Sequence, residues 1–151
     1  MHLDNEIKLD YKDVLLKPKR STLSSRRDVK MTRTFTFRNS NETYECCPIV
    51  ASNMDGVGTF SMAKVIQDYK MMTTITKTTT LDQWKQAVGS GIKLKYVSVC
   101  TGTNKLWTDD AEDYATMKEV LTSFPDVKFI TIDVANGYHT NFSDFIKRVR
   151  D

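Results

Sequence analysis

Three side chains in this sequence could take part in catalysis, and each lies at the end of a short apolar segment. Lys77 and Asp133 follow such segments, and Cys100 ends a third. An ammonium group can serve as an acid, a base or a charge stabiliser, a carboxylate can bind a cofactor or substrate hydroxyl, and a thiolate is a nucleophile. The alternatives are a solvated lysine, an aspartate that caps a turn and a buried structural thiol. Spacing alone leaves Lys77 and Asp133 open, whereas we interpret Cys100 as a structural thiol because no histidine lies near it in the sequence.

The elements that must position these residues alternate between strands and helices from Pro48 onward. The predicted strands span residues 49–52, 72–75, 96–100 and 129–133. The predicted helices span about 60–69, from after Thr80 to Gly89 or Gly91, about 110–123, and from Thr140 or Asn141 toward the C-terminus. This alternation predicts an α/β fold with a parallel sheet and right-handed crossovers.

Two architectures fit this alternation. One is a doubly wound open sheet, and the other is the N-terminal half, four βα units, of a (β/α)8 TIM barrel. In both, ligands bind at the carboxyl ends of the strands. The segments that follow the predicted strands are all polar: residues 53–59, 76–79, 101–104 and 133–138. Their concentration predicts a ligand site at that end of the sheet.

Gly56 and Gly58 suggest a dinucleotide-binding fingerprint, but the match fails. Ser61 stands where the third glycine is required, and no acidic residue ends the second predicted strand to bind a ribose. We therefore interpret the two glycines as a tight strand-to-helix turn.

Residues 1–47 differ from the rest and are predicted to form an extended arm followed by a β-hairpin over residues 33–46. Residues 34–38 and 43–46 alternate apolar and polar side chains, and Asn39-Ser40-Asn41 between them is typical of a turn. The predicted domains are thus the arm and hairpin, residues 1–47, and the strands and helices, residues 48–151.

The composition excludes several classes of protein. The chain has 151 residues, of which 40% are hydrophobic and 27% charged, which is typical of one globular domain. It has no apolar run near ~20 residues and no signal-like N-terminus, so we expect no membrane segment. With 3 cysteines, two of them adjacent, and 2 histidines, we expect reduced thiols, a cytoplasmic setting and no metal cluster.

The arm is basic and could contact phosphate groups. Its cationic residues are Lys17, Lys19, Arg20, Arg26 and Arg27. Few aromatic side chains lie among them to stack on bases, and the net charge of the chain is only +3, so we expect no nucleic-acid partner. An anionic small molecule or a subunit contact remains open.

Four segments resemble the GMP reductases, a family whose sister family is IMP dehydrogenase. They are the arm from Leu9 to Ser21 with its Tyr11-Lys12-Asp13-Val14-Leu15-Leu16-Lys17-Pro18 stretch, the hairpin segment Phe35–Ser40, the stretch Asn53-Met54-Asp55-Gly56-Val57-Gly58-Thr59-Phe60, and Asp133-Val134-Ala135-Asn136-Gly137-Tyr138. The similarity extends over nearly the whole chain. The last two segments favour the reductase over the dehydrogenase.

The resemblance implies a (β/α)8 barrel that uses NADPH to convert GMP to IMP and ammonia. In that chemistry a cysteine attacks C2 of the purine, ammonia leaves, and a hydride reduces the covalent intermediate. The resemblance also implies roles for residues of this chain: Lys77 at the active site near the cofactor and the departing ammonia, Asp133, Val134 and Ala135 in cofactor binding, and Ser25 and Arg26 in contact with NADPH from a neighbouring subunit.

The sequence departs from the family in three respects, one of which is Gly56, at a position that is usually threonine in the family. Histidines flank the family's lysine, whereas Thr76 and Thr78 flank Lys77 here. The family's nucleophilic cysteine, its threonine acid/base, its potassium loop and its GMP-phosphate loops correspond to positions beyond Asp151. We therefore expect the N-terminal half of a reductase, acting as a homo-oligomer or with a complementing C-terminal half chain. A non-catalytic remnant that binds a full-length reductase is the alternative, and a self-contained nucleotide-binding domain is a weaker third.

Overall fold

A computed structural model describes residues 3, 5–103 and 112–150. The chain divides into two units, Met1–Lys30 and Met31–Asp151. The hairpin belongs to the second unit by this division, and the domain boundary at residue 47 stays a prediction.

The first unit is extended chain with two 3-10 turns, Tyr11–Asp13 and Arg26–Asp28. Each turn begins with a capping box, in which the side chains of the first and fourth residues accept each other's backbone N–H groups. The described residues of this unit are exposed. Local hydrogen bonds therefore shape the turns, because none of the described residues of this unit is buried.

The second unit begins with an antiparallel hairpin of β1, Arg33–Thr36, and β2, Thr43–Cys46. This confirms the hairpin predicted over residues 33–46. Asn41 in the connection has a φ of 57°, a conformation that asparagine tolerates better than most residues.

A parallel sheet follows, in the order β3-β4-β5-β6, and confirms the predicted mixed α/β fold. Its strands are β3 Val50–Ala51, β4 Met72–Thr74, β5 Val97–Thr101 and β6 Phe129–Ile132. The helices between and after them are α1 Phe60–Ile66, α2 Leu81–Gly89, α3 Glu112–Ser123 and α4 Thr140–Arg150.

The observed bounds differ from the predicted ones at several ends. The first strand of the parallel sheet, β3, is only two residues long. Helix α1 ends at Ile66, and a 3-10 turn over Gln67–Tyr69 follows it. Lys70 ends that turn in the left-handed conformation, with a φ of 57°. A further 3-10 turn, Leu94–Tyr96, includes the predicted first residue of the third strand of the sheet, so β5 begins at Val97. The predicted start of the third helix, at residue 110, lies outside the described residues.

The core lies between the helices and one face of the sheet. Ile75 and Val97 from this face join buried residues of the helices in one cluster: Ala63, Trp84, Ala87, Tyr114, Met117, Val120 and Phe145. Trp84 is 1% exposed. Burying a large apolar side chain of this kind contributes about 1.5–3 kcal/mol.

The doubly wound alternative does not fit this arrangement. Such a sheet reverses its strand order and carries helices on both faces. Here the described strands follow chain order without a reversal, and all the described α-helices contribute to the cluster on one face. Right-handed crossovers that add each strand beside the last produce this arrangement.

The hairpin packs at the amino-terminal end of the other face of the sheet, which we call the inner face. Tyr44 of β2 contacts Tyr96 and Phe129 edge to face, with ring centroids 6.3 and 4.8 Å away. Its hydroxyl donates to the carbonyl of Lys95 at 2.7 Å. The polar segments that follow the strands lie at the opposite, carboxyl end of the inner face. No helix in the described part of the chain is long and apolar enough to cross a membrane.

Candidate functional site

Polar groups from two loops and from helix α3 meet at Gly102, directly after β5. The position of a Cβ on this glycine would be 3.2 Å from Lys77 Nζ, 3.0 Å from Asp113 Oδ2 and 3.7 Å from the carbonyl oxygen of Asp133. Lys77 follows β4 and Asp133 follows β6. The structure thus brings two of the predicted site residues together at the carboxyl edge of the sheet.

Lys77 lies in a turn closed by threonines. The hydroxyls of Thr76 and Thr78 are 2.6 Å apart, and the Thr78 N–H donates to Thr76 Oγ1 at 3.2 Å. Thr80 then caps α2, where it forms a capping box with Gln83. The two threonines that flank Lys77 therefore hold the backbone on either side of it, while the Lys77 side chain is exposed.

Asp113, in the first turn of α3, is a site residue that the sequence analysis missed. Its Oδ2 accepts the Gly102 N–H at 2.9 Å, and its Oδ1 accepts the Tyr114 N–H at 3.1 Å. A carboxylate in the first turn of a helix is an ordinary stabilising feature, so no sequence pattern indicates a further role for Asp113. Only the approach of the helix to β5 brings it beside Lys77.

Cys100 is buried on the inner face and is hydrogen-bonded to Asn53 of the loop after β3. Asn53 Nδ2 donates to Cys100 Sγ at 3.5 Å. Burial raises the pKa of the Cys100 thiol above its ordinary value, and the Asn53 hydrogen bond opposes that shift. Asp133 also raises the pKa and Lys77 lowers it. A protonated, buried thiol is a poor nucleophile, which supports the interpretation of Cys100 as structural.

Hydroxyl side chains of β4, β5 and β6 line the inner face of the sheet next to the site. Ser98 Oγ lies 2.8 Å from Thr131 Oγ1, and Thr74 Oγ1 lies 3.4 Å from that same oxygen. Thr74 and Thr131 stand on strands separated by β5. In a flat sheet, alternate strands are about 9.6 Å apart, so this contact indicates that the inner face is concave.

The loop after β3 turns tightly at its glycines, as predicted. Gly56 has a φ of 76°, which favours glycine. A Cβ on Gly58 would lie 2.4 Å from the Thr74 carbonyl oxygen and 2.9 Å from the Ser52 carbonyl oxygen. The Thr76 N–H donates to the Gly58 carbonyl at 2.9 Å, so this close approach joins the β3 loop to the turn that carries Lys77.

Val134 and Ala135 continue from Asp133 along the rim of the site. Val134 is half-buried and Ala135 is exposed. The backbone of Asp133 is held in place, because its N–H donates to the Thr101 carbonyl at 2.8 Å. The Asp133 side chain is exposed. Its carboxylate is therefore open to a ligand.

Ser25 and Arg26 lie in the first unit, Met1–Lys30. Ser25 caps the second 3-10 turn, and its hydroxyl accepts the Arg27 N–H at 3.2 Å. Arg26 is exposed at the start of this turn. Their predicted role in cofactor binding stays a prediction.

The chemistry available at this site is binding and charge stabilisation. An exposed ammonium, an exposed carboxylate and a fixed backbone suit a phosphate or a hydroxyl-bearing ligand such as a nucleotide cofactor. Within residues 3, 5–103 and 112–150, no group of three or more histidine, cysteine or acidic side chains could hold a metal ion.

Comparison with known proteins gives one consistent result. The profile of the IMP dehydrogenase / GMP reductase domain matches residues 8–151. The chain is 46% identical to human GMP reductase 2 over 150 residues, which is 99% of this chain and 41% of that protein. It is 48% identical to human GMP reductase 1 over 98% of the chain and 41% of that protein. With the GMP reductase of Caenorhabditis elegans the identity is 46%, over 99% of the chain and 40% of the relative. The chain thus spans about two fifths of the length of these relatives.

Proposed function

This chain belongs to the IMP dehydrogenase and GMP reductase family, and we propose that it is the N-terminal half of an NADPH-dependent GMP reductase. The reaction is the reductive deamination of GMP to IMP and ammonia. The proposal rests above all on the identity of 46–48% to GMP reductases over nearly the whole chain.

The proposed fold is half of a (β/α)8 barrel. In support, the described strands follow chain order, their helices pack on one face, and the hydroxyls of Thr74 and Thr131 meet across the concave face. Barrel strands have these three properties. The outer edges of β3 and β6 have no strand partner among the described residues. We propose that a C-terminal half covers both edges.

Lys77 is the catalytic residue that we propose for this half. NADPH, when bound, supplies the hydride. The Lys77 ammonium stabilises negative charge beside the reacting purine and the departing ammonia, and Asp133, Val134 and Ala135 bind the cofactor. The observation in support is the meeting of Lys77 and Asp133 at Gly102, with the Asp133 carboxylate exposed for a ribose hydroxyl.

The remaining parts of the enzyme come from outside residues 1–151. We propose that Ser25 and Arg26 contact the cofactor of a neighbouring subunit in a homo-oligomer, where the guanidinium suits a phosphate. The nucleophilic cysteine, the potassium site and the GMP-phosphate loops belong to the C-terminal half. All three cysteines here are free and buried, which suits a reducing cytoplasm.

The test is NADPH oxidation with GMP, followed at about 340 nm, where the reduced nicotinamide absorbs. The chain is assayed alone and mixed with the remaining C-terminal part of human GMP reductase 2. We expect turnover only in the mixture. Lys77→Ala should reduce kcat about 100-fold, because a group acting on the reacting atoms is lost.

Lys85→Ala is the matched control, since Lys85 is an exposed lysine of α2 paired with Asp82 at 3.1 Å. It should leave turnover unchanged. Turnover by the chain alone would contradict the assignment of the nucleophile to the other half. A folded complex without turnover would favour the second candidate, a non-catalytic chain that associates with a full-length reductase.

A further inference from the structure

A groove lies between the hairpin and the amino-terminal end of β6, with a volume of about 460 Å³. Four of the residues that line it carry large apolar groups: Phe37, Tyr44, Phe129 and Ile130. The others are polar or charged: Ser40, Glu42, Thr43, Lys95 and Lys128. Successive strand residues point to opposite faces of a sheet, so lining by both Phe129 and Ile130 shows that the groove reaches the outer edge of β6.

The apolar lining of this groove offers contact area rather than hydrogen bonds. The Tyr44 hydroxyl already donates to the Lys95 carbonyl at 2.7 Å. The rings of Phe37 and Phe129 meet edge to face, with centroids 5.7 Å apart. Among the described residues, Thr73 carries the buried side-chain oxygen that has no hydrogen-bond partner, and Thr73 does not line the groove. The groove therefore fits an apolar group.

Apolar side chains beside the groove are exposed where their neighbours within the sheet are covered. Ile130 is 38% exposed, whereas Val99, its register partner on β5, is 3% exposed. Phe37 on the hairpin is 39% exposed. The outer edge of β6 pairs with no strand in the described part of the chain. Apolar side chains next to such an edge suit contact with a further strand.

The order of the elements indicates which strand that is. Strands β3 to β6 lie in chain order, each parallel to the one before. Helix α4 follows β6, and its Phe145 joins the same core cluster as the other helices. A right-handed crossover from β6 through α4 places the next strand of the chain beside the outer edge of β6.

We propose that this groove is the docking site for the first strand of the C-terminal half. That strand runs parallel to β6, and a large apolar side chain near its amino-terminal end fills the space between Phe37 and Ile130. The hairpin thus forms part of the interface between the two halves, in addition to the edge of β6. This inference rests on the half barrel described under the proposed function.

The first experiment measures affinity and needs no turnover. The chain is titrated with the remaining C-terminal part of human GMP reductase 2 in a calorimeter. Phe37→Ala should weaken binding about 10- to 100-fold, because a few aromatic side chains carry much of the binding energy of an interface. Phe35→Ala is the matched control, since Phe35 is also a hairpin phenylalanine, is also 39% exposed and does not line the groove. It should leave the affinity unchanged.

A second variant guards against loss of the hairpin, because Phe37 also packs on Phe129. Ile130→Ala changes the groove from the side of β6 and leaves the hairpin side chains intact. It should weaken binding about 3- to 10-fold, since less apolar surface is removed from water. Its control is Val65→Ala on α1, where Val65 is 62% exposed and lies outside the groove. Circular dichroism checks that each variant is folded.

Photo-crosslinking identifies the occupant of the groove. Benzoylphenylalanine in place of Phe37 should crosslink within about the first 12 residues of the C-terminal part, the length of a short loop and one strand. The same group in place of Phe35 should not label that segment.

The outcomes separate this inference from the proposed function. If the halves associate but Phe37→Ala and Ile130→Ala bind as the wild type does, or if the crosslinks lie elsewhere, the docking site is wrong and the half barrel stands. Self-association of the chain alone that Phe37→Ala abolishes would assign the groove to a second copy instead. Folded wild-type halves that do not associate contradict the half barrel, and the proposed occupant with it.

Discussion

Other atoms of the site lie close to Gly58 and Gly102, where a side chain would otherwise be. The two glycines differ in which atoms an added Cβ would meet. At Gly102 the two nearest atoms are the ends of side chains, whereas at Gly58 they are backbone atoms of β4 and of the β3 loop. Side-chain ends can move by rotation about their own bonds. Backbone atoms in a sheet can move only if the strands separate, so the same substitution has different costs at the two positions.

Gly58→Ala should therefore destabilise the fold by about 1–3 kcal/mol, because a methyl group would overlap the Thr74 and Ser52 carbonyl oxygens. Gly89→Ala is the control, since a Cβ there meets nothing within 4 Å and the residue lies in α2. It should stabilise the chain by about 0.4–1 kcal/mol. Urea unfolding measures both, and equal stability of the two variants would contradict the close approach at Gly58.

Cys100 should resist thiol reagents in the folded chain. Burial raises its pKa, so the thiolate fraction at neutral pH is lower than for a free cysteine, and its 3% exposure restricts access. Cys46 and Cys47 are also buried. We expect little reaction with Ellman's reagent at neutral pH in native buffer and reaction of all three thiols in denaturant. Fast native labelling of Cys100 would show that its thiol is reactive rather than structural.

At the scale of elements, aromatic side chains of the hairpin, Phe37 and Tyr44, pack on the sheet, and Tyr44 adds a polar end. Tyr44 packs on Phe129 and donates to the Lys95 carbonyl. Burial raises the pKa of Tyr44 well above its ordinary value of 10.0, with smaller contributions from Cys46 and Tyr96. The folded state therefore keeps the phenol protonated at a pH where the unfolded chain loses that proton.

The sign of the pH dependence follows from this raised pKa. The stabilisation by protonated Tyr44 is complete below about pH 10 and is lost as the pH rises above it, because the unfolded state then binds fewer protons. Tyr44→Phe should cost about 1 kcal/mol at neutral pH through the lost hydrogen bond. Its stability should also fall less steeply above pH 10 than that of the wild type.

Urea unfolding at neutral pH and above about pH 10 checks this prediction. Tyr69→Phe is the control, because Tyr69 is 65% exposed. It should retain the alkaline dependence of the wild type. An alkaline slope in Tyr44→Phe identical to that of the wild type would mean that another group carries the effect.

At the scale of the whole molecule, the outer edges of β3 and β6 pair with no other strand among the described residues. Ile49 and Val50 at the β3 edge are 52% and 55% exposed, and Ile130 at the β6 edge is 38% exposed. An exposed strand edge offers unpaired backbone groups to another chain. Among the described strands, β4 and β5 have neighbours on both sides.

Hydrogen exchange should detect the covering of these edges. On addition of the C-terminal part of human GMP reductase 2, amides of β3 and β6 should become protected, because new strands pair with them. The amides of β5 are the internal control and should be protected in both states. Protection that changes nowhere in the sheet, with binding shown independently, would place the partner on another surface.

The sequence by itself determined the order and type of the elements. The alternation of apolar segments with amphipathic ones predicted the hairpin, the parallel sheet and the polar segments at one end of it, because these patterns reflect local burial. It also identified Lys77 and Asp133 as candidates. The ends of elements beside short turns were less predictable. A 3-10 turn has almost the same local pattern as the end of a helix or strand, so the predicted bounds near Ile66 and Val97 differ from the observed ones.

Only the tertiary structure decided which face carries the helices and which residues meet. The one-sided packing of the helices follows from strand order, which sequence periodicity does not encode. Asp113 is 36 positions from Lys77 in the sequence, and the two come near the same glycine only because strand pairing brings the Lys77 turn and the first turn of α3 to Gly102. Such contacts depend on the register of distant strands, and no local pattern of residue types reports that register.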